Sequence, residues 1–178
     1  LQAFLKNPLK VGAITPSSPE LAQNMIAGLR PSADNVVLEL GVGTGAITKY
    51  LQEIVPDRES YLGIELDAGL VRSLQRKFPH LTLVRGNACE AFSIHQRSGL
   101  GRVGAIICCL PFVSLPNEVG DVILGEIDRF MQIGCTFRTF QYAHGYYMPS
   151  AIKLREFMHA RYGKFIYSKF GFVDSFNR

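Results

Sequence analysis

The sequence predicts an α/β fold built on a doubly wound, mostly parallel sheet, and three observations point that way. Strand and helix signals alternate after residue 35, with no low-complexity linker and no internal repeat. The apolar run Val36-Val37-Leu38-Glu39-Leu40 breaks directly into three alternate glycines, Gly41, Gly43 and Gly45, as a strand does when it feeds a ligand-binding turn. The 178 residues, 47% of them hydrophobic, suffice for one domain with a real core.

Strands are expected near 36–41, 60–65, 81–85, 103–109, 134–142 and 164–170. Helices are expected over 45–55, 68–78, 88–97, 118–131 and 150–162, the third cut off by Ser98-Gly99-Leu100-Gly101. An earlier helix should start after Pro19, because Ser18 is a good cap and Leu21, Met25, Ile26 and Leu29 fall at helical spacing. Ser32 and Asp34, following Pro31, form a turn into the first strand. Residues 1–18 precede the sheet and need another role within the single domain of 1–178. Leu1, Phe4 and Leu5 share one helical face beside Lys6 and Lys10, which suits either an interfacial helix on an anionic membrane or a lid over the domain.

The glycine turn carries the chemistry. A side chain there would hold the backbone away from a ligand, and Ala46 to Leu51 then begins the helix behind it. The next apolar run, Tyr61-Leu62-Gly63-Ile64, ends in Glu65, about twenty residues on, where an acid can accept hydrogen bonds from ribose hydroxyls. Glu39 is the odd residue of an otherwise apolar strand, and its burial is costly unless something cationic or hydrogen-bonding meets it. A structural acid capping backbone amides is the plainer account of Glu39, as a glycine-rich turn without a ligand is of the glycines. With Ala46 as its third small residue the run also satisfies the dinucleotide fingerprint, so a dehydrogenase stays open.

Composition narrows the classes. No stretch of eighteen uninterrupted apolar residues exists to span a bilayer, and the N-terminus, which opens on Leu1, lacks the charged and apolar regions of a signal peptide. A cytoplasmic location is the expectation. Cys89, Cys108, Cys109 and Cys135 have no Cys-x-x-Cys spacing and read as buried free thiols, with Cys108 and Cys109 on opposite faces of a strand. His80, His95, His144 and His159 lack ligand spacing, so no metal site is expected. The net charge of +4 is uneven. Residues 1–30 hold three basic groups against Glu20, and 136–178 hold seven against Glu156 and Asp174. Basic ends around an acidic middle suit an anionic partner, phosphate-bearing lipid or nucleic acid, or else an ordinary solvated surface.

The pattern Glu39-x-Gly41-x-Gly43-x-Gly45 with Glu65 resembles the class I S-adenosyl-L-methionine-dependent methyltransferases, which have a Rossmann-like fold. The resemblance implies that the glycines and Glu39 meet the methionine portion of the cofactor, and that Glu65, followed by Leu66, holds the ribose. Asn87-Ala88 matches the position where the family usually has an acid beside the adenine, and Asn87 offers a carbonyl there without a charge. Leu110 belongs to the same cofactor set, and S-adenosyl-L-homocysteine is the implied product. Adenine-N6 methyltransferases, the rRNA dimethylases included, place Asn or Asp before a Leu-Pro or Pro-Pro and an aromatic after it, to grip the amino group of a flipped base. Here Cys109 stands before Leu110-Pro111-Phe112. A thiol is a poor acceptor, which counts against nucleic acid.

Two more segments, Phe4-Leu5-Lys6-Asn7-Pro8 and Val11-Gly12-Ala13-Ile14-Thr15-Pro16-Ser17-Ser18, resemble the N-terminal signature of bacterial phospholipid N-methyltransferases, which convert phosphatidylethanolamine towards phosphatidylcholine. Leu110-Pro111 and Phe140-Gln141-Tyr142 fit the same family. That resemblance implies a phospholipid substrate at an anionic membrane surface and peripheral association with its inner face. Thr15 and Ser17 then bond the cofactor's amino-acid end or cap the following helix. An ammonium has no lone pair, so the acceptor must lose a proton, for which Tyr142 and His144 are the candidates. Phe112, Tyr142, Tyr146 and Tyr147 offer aromatic faces to a methylated ammonium. Lys153 and Arg155 either meet the lipid phosphate or form a solvated helical face. Two departures stand out. The family commonly has Ser-Gly where this chain has Cys108-Cys109, and it ends with a last antiparallel strand that is expected to be missing here, since the chain stops at Asn177-Arg178. Two rivals follow, an rRNA-type adenine methyltransferase and a non-catalytic membrane-associated module that keeps the cofactor fold.

Overall fold

The computed structural model describes residues 19–141, 145 and 147–162 together with the strand 172–176. Six strands form one sheet: β1 (Val36–Leu40), β2 (Tyr61–Glu65), β3 (Thr82–Arg85), β4 (Val103–Cys108), β5 (Thr136–Gln141) and β6 (Phe172–Phe176). Their order is β3-β2-β1-β4-β5-β6. The first five run parallel and β6 runs antiparallel to β5, pairing Phe172 with Gln141 and Phe176 with Phe137. This corrects the expectation of a missing last strand: residues 172–176 cover the edge of β5. The strand expected at 164–170 lies outside the described residues, as does the lid or membrane segment expected at 1–18.

Among the described residues six helices flank the sheet: α1 (Pro19–Ile26), α2 (Thr48–Leu51), α3 (Ala68–Lys77), α4 (Ala91–Ser98), α5 (Asn117–Met131) and α6 (Pro149–Tyr162). β1 is buried at every position, as a strand covered on both faces must be. Val36, Leu38 and Leu40 face α4, α5 and α6, packing with Ile94, Ile127, Phe130, Leu154 and Met158. Val37 faces the other way, towards α1, α2 and α3, with Met25, Leu51, Leu74 and Phe78. Cys108 joins the first cluster and Cys109 packs against the second, so the adjacent thiols do point to opposite faces.

The helix expected over 45–55 is much shorter, and the reason is local. Gly45 has φ of +81°, outside the right-handed helical region, so no helix starts there. Past Leu51 the chain tightens into turns, with Glu53 N–H donating to Tyr50 O and Ile54 N–H to Leu51 O, before Pro56. At the C-terminal end of α1, Arg138 of β5 donates to the carbonyls of Met25 and Ala27, tying the end of that helix to the sheet.

Candidate cofactor and acceptor site

The strand order reverses between β1 and β4, and in open α/β sheets ligands bind beyond the C-terminal ends of the strands at that point. Those ends carry the residues the sequence singles out. Gly41, Gly43 and Gly45 have φ of +74°, +61° and +81°, a left-handed conformation that costs other residues about 1–2 kcal/mol each. A Cβ on Gly41 would lie 2.5 Å from Leu110 Cδ2, and one on Gly45 2.7 Å from Phe78 Cε2. At Gly43 the nearest atom to such a Cβ among the described residues is Gly41 O, 3.9 Å away, so the middle of the turn presents bare backbone.

Glu65, at the end of β2, faces this turn. Its Oε2 accepts the Gly43 N–H at 2.8 Å and its Oε1 accepts the Asp67 N–H at 2.9 Å. Asp67 in turn caps α3 through Leu70 N–H. The carboxylate is thus fixed against the glycine backbone across a separation of twenty-two residues. Leu66, the next residue, is half-buried.

Glu39 is fully buried on the face of the sheet under α1, α2 and α3. Its Oε2 accepts from the Tyr61 hydroxyl at 2.6 Å and the Thr48 hydroxyl at 2.9 Å, while Oε1 has no hydrogen-bond partner among the described residues. Burial pushes this carboxyl up to about 7, the bonds from Tyr61 and Thr48 pull it down, and Glu65 adds a further upward push. Burial, then Glu39, holds the Tyr61 hydroxyl well above its ordinary value. Room for that hydroxyl comes from Gly63, the residue paired with Glu39, where a Cβ would fall 2.6 Å from Tyr61 Oη. Glu39 accordingly joins β1 to β2 and to the first turn of α2. Sequence reasoning marks Glu39 but misses Thr48, Tyr61 and Gly63. The available signals were a hydroxyl nine residues past the acid and a glycine inside a buried strand.

The other candidates divide. Asn87 spends its side-chain oxygen on the Cys89 N–H at 3.0 Å, opening the turn Ala88–Glu90, and Ala88 is buried. Cys109 N–H donates to Leu40 O, which brings Cys109 and Leu110 against Gly41. Burial, with Glu39 adding to it, pushes the Cys109 thiol well up, so it is neither an anion nor a strong acceptor. Phe112 is buried in the core beside Ile123, Leu124 and Leu154, and it edges a shallow groove with Leu115, Gly120, Ser150 and Lys153. Lys153 pairs with Asp121 at 2.6 Å, and Arg155 donates to Gln141 Oε1 at 2.6 Å at the end of β5. Tyr147 is 81% exposed at the start of α6. Thr15, Ser17, Tyr142, His144 and Tyr146 lie outside the described residues. Among the described residues no group of three or more His, Cys, Asp or Glu is placed to hold a metal, and no helix is long and apolar enough to cross a membrane.

Bare glycine backbone beside a fixed carboxylate, at the sheet's reversal point, fits a ligand with an amino-acid end and a ribose. S-adenosyl-L-methionine has both, and supplies an activated methyl group on its sulfonium.

No family model matches the chain. An ornithine lipid N-methyltransferase of Singulisphaera acidiphila is 29% identical over 140 residues, 77% of this chain and 73% of that enzyme. The ribosomal RNA small subunit methyltransferase A of Ralstonia nicotianae is 35% identical over 88 residues, which is 49% of this chain and only 30% of that enzyme. Among solved structures, a TehB-like SAM-dependent methyltransferase from Corynebacterium glutamicum superposes with a TM-score of 0.64 at 15% identity, covering 99% of this chain and 94% of that one. A putative methyltransferase from Streptococcus mutans in complex with SAH gives 0.63 at 11% identity over 89% of this chain and 96% of that one. The structural matches share the fold. With the sequence relatives and the cradle described above, they make the chain a class I S-adenosyl-L-methionine-dependent methyltransferase that resembles lipid N-methyltransferases.

Proposed function

We propose that the protein transfers methyl groups to the amine of a lipid head group, with phosphatidylethanolamine, on the way to phosphatidylcholine, as the acceptor. The observation that carries this reading is the end of β4. Cys109 occupies the place where adenine-N6 enzymes need a side-chain amide or acid, and a neutral thiol sulfur is a weak acceptor for a base amino group. The relative named for a lipid substrate also aligns over 73% of its own length, against 30% for the ribosomal RNA enzyme. Tyr147 and Met148 just before α6, and Ile152 within it, are exposed apolar side chains, consistent with a lipid surface here and with peripheral membrane association.

In this reading Gly41, Gly43 and Gly45 seat the methionine portion, with Thr15 and Ser17 at its amino-acid end. Glu65 and Leu66 meet the ribose, Asn87 and Ala88 the adenine, and Leu110 closes over the first glycine. Glu39 joins β1 to β2 and α2. The protein's share of catalysis is alignment: well-oriented reactants recover roughly 7–11 kcal/mol of barrier, so no covalent nucleophile is required. Tyr142 and His144 take up or relay the proton that the ammonium must lose, and aromatic faces at the β5 end receive the methylated product.

The test is to incubate the protein with labelled methyl donor and vesicles containing phosphatidylethanolamine or ornithine lipid, and in parallel with ribosomal RNA. Label in phosphatidylethanolamine products is expected. Label only in ornithine lipid would keep the lipid amine and change the head group. The second reading, an rRNA-type adenine methyltransferase, is favoured by the Leu110-Pro111-Phe112 turn and the ribosomal relatives. It requires label in adenine and binding that weakens steeply with salt. Cofactor binding without label in any acceptor would favour a non-catalytic module.

A further inference from the structure

We propose that Glu65 is a positioning residue for the glycine turn in addition to its contact with the cofactor's sugar: its carboxylate holds the Gly43 backbone, and so the Gly41–Gly45 cradle, in binding shape before the cofactor arrives. This inference rests on the assignment of the ribose to Glu65 only for the second of the two roles.

The geometry separates those roles. A carboxylate offers about four acceptor directions on two oxygens. Two of them are spent on backbone, with Oε2 on Gly43 N–H and Oε1 on Asp67 N–H. The remaining acceptor directions are the ones a ribose diol would use, on a residue that keeps 8% exposure. The turn it holds contains three glycines in left-handed conformation. Gly41 N–H donates to Ile64 O and Gly45 N–H to Val42 O, whereas Gly43 N–H, at the middle, is bonded to Glu65. Glycine loses more conformational freedom on ordering than any other residue. A turn already ordered by Glu65 spares the cofactor that cost, which is how pre-organisation raises affinity.

The experiment is a binding cycle read by calorimetry, with S-adenosyl-L-homocysteine and its 2′,3′-dideoxy analogue, on the wild-type protein and on Glu65→Ala. If Glu65 both orders the turn and meets the sugar, Glu65→Ala weakens S-adenosyl-L-homocysteine the more, and still weakens the dideoxy analogue by about tenfold. Equal affinity of the two proteins for the dideoxy analogue would overturn the proposal and leave the ribose contact standing. An equal loss for both ligands would uphold the positioning role and remove the ribose contact. Amide hydrogen exchange without ligand gives an independent reading. The Gly43 N–H should exchange faster in Glu65→Ala, while Glu65→Gln, which keeps one carbonyl oxygen for the two amides, should fall between. Unchanged exchange at Gly43 in a folded Glu65→Ala would overturn the proposal. Should Glu65→Ala fail to fold, the same cycle and exchange are run on Glu65→Gln, where unaltered analogue affinity and unaltered exchange again count against it.

Discussion

The ends of β1 and β2 and the ends of β4 and β5 lie on one rim of the same sheet, yet they are held by different physics. At the first pair hydrogen bonds to the two carboxyls define the arrangement. Glu65 is bonded to the turn, Glu39 to Tyr61 and Thr48, and the glycines leave bare backbone between them. At the second pair packing dominates. Cys109 sits against one core cluster, Phe112 is buried in the other, and Lys153 is taken up by Asp121. A cofactor that does not vary can be met by fixed backbone and carboxylates. The lipid amine proposed as acceptor, with a small head and a long apolar tail, would ask for shape and an apolar rim, which hydrogen bonds specify poorly.

The largest expected effect tests the first region. The Glu39 carboxyl is raised from 4.5 to about 7 in the fold. Below pH 4.5 it is protonated in both states and its contribution is complete. Between 4.5 and 7 the unfolded chain loses the proton while the folded chain keeps it, so stability falls as pH rises, by about 3 kcal/mol across the window. Glu39→Gln should flatten that slope, measured as urea-unfolding free energy at about pH 5 and about pH 7.5; an unchanged slope would take the titration away from Glu39. Next, Gly63→Ala puts a methyl within 2.6 Å of both Leu83 Cδ2 and Tyr61 Oη, and should cost about 2 kcal/mol by overpacking and by pushing Tyr61 off Glu39. A thermal midpoint equal to wild type would mean that the strand gives way freely there.

Gly41→Ala should cost about 1–2 kcal/mol from its left-handed backbone alone, and should weaken cofactor binding because Leu110 must move. Retained affinity in calorimetry would show that the β4 end yields without affecting the cradle, and would blur the contrast between the two regions. On the packing side, Cys109→Ala is expected to cost about 1 kcal/mol or less and to leave lipid methylation in place. Loss of transfer with stability and cofactor affinity intact would put the thiol in the acceptor site. The smallest effect belongs to Lys153→Ala. Its pair with Asp121 is half-exposed on both sides, so stability should change by under about 0.5 kcal/mol. A large fall in activity on lipid vesicles at constant stability would instead give Lys153 a role with the acceptor.

How much of the fold and the site is legible in the sequence depends on how local the cause is. The glycine turn, the acid after β2 and the alternation of strands and helices are written in contiguous residues, and the limits of β1 to β5 fall within two residues of those expected. The last strand is not legible in the same way. Its pairing with β5 depends on contacts across more than thirty residues of chain, and the expectation of its absence came from a family pattern. The helix after the turn is shorter than expected because periodicity does not register that Gly45 must be left-handed to make its turn.

By itself the sequence determined that a buried strand would deliver three glycines to a turn and that a second strand would end in an acid, because apolar runs and glycine spacing act on the backbone directly. Only the tertiary structure decided what those groups do before a ligand is present. It set Glu65 on the Gly43 amide and Glu39 on two hydroxyls from other elements. The physical reason is that a carboxylate's partners are set by which donors the fold brings within about 3 Å, and no local pattern encodes that distance.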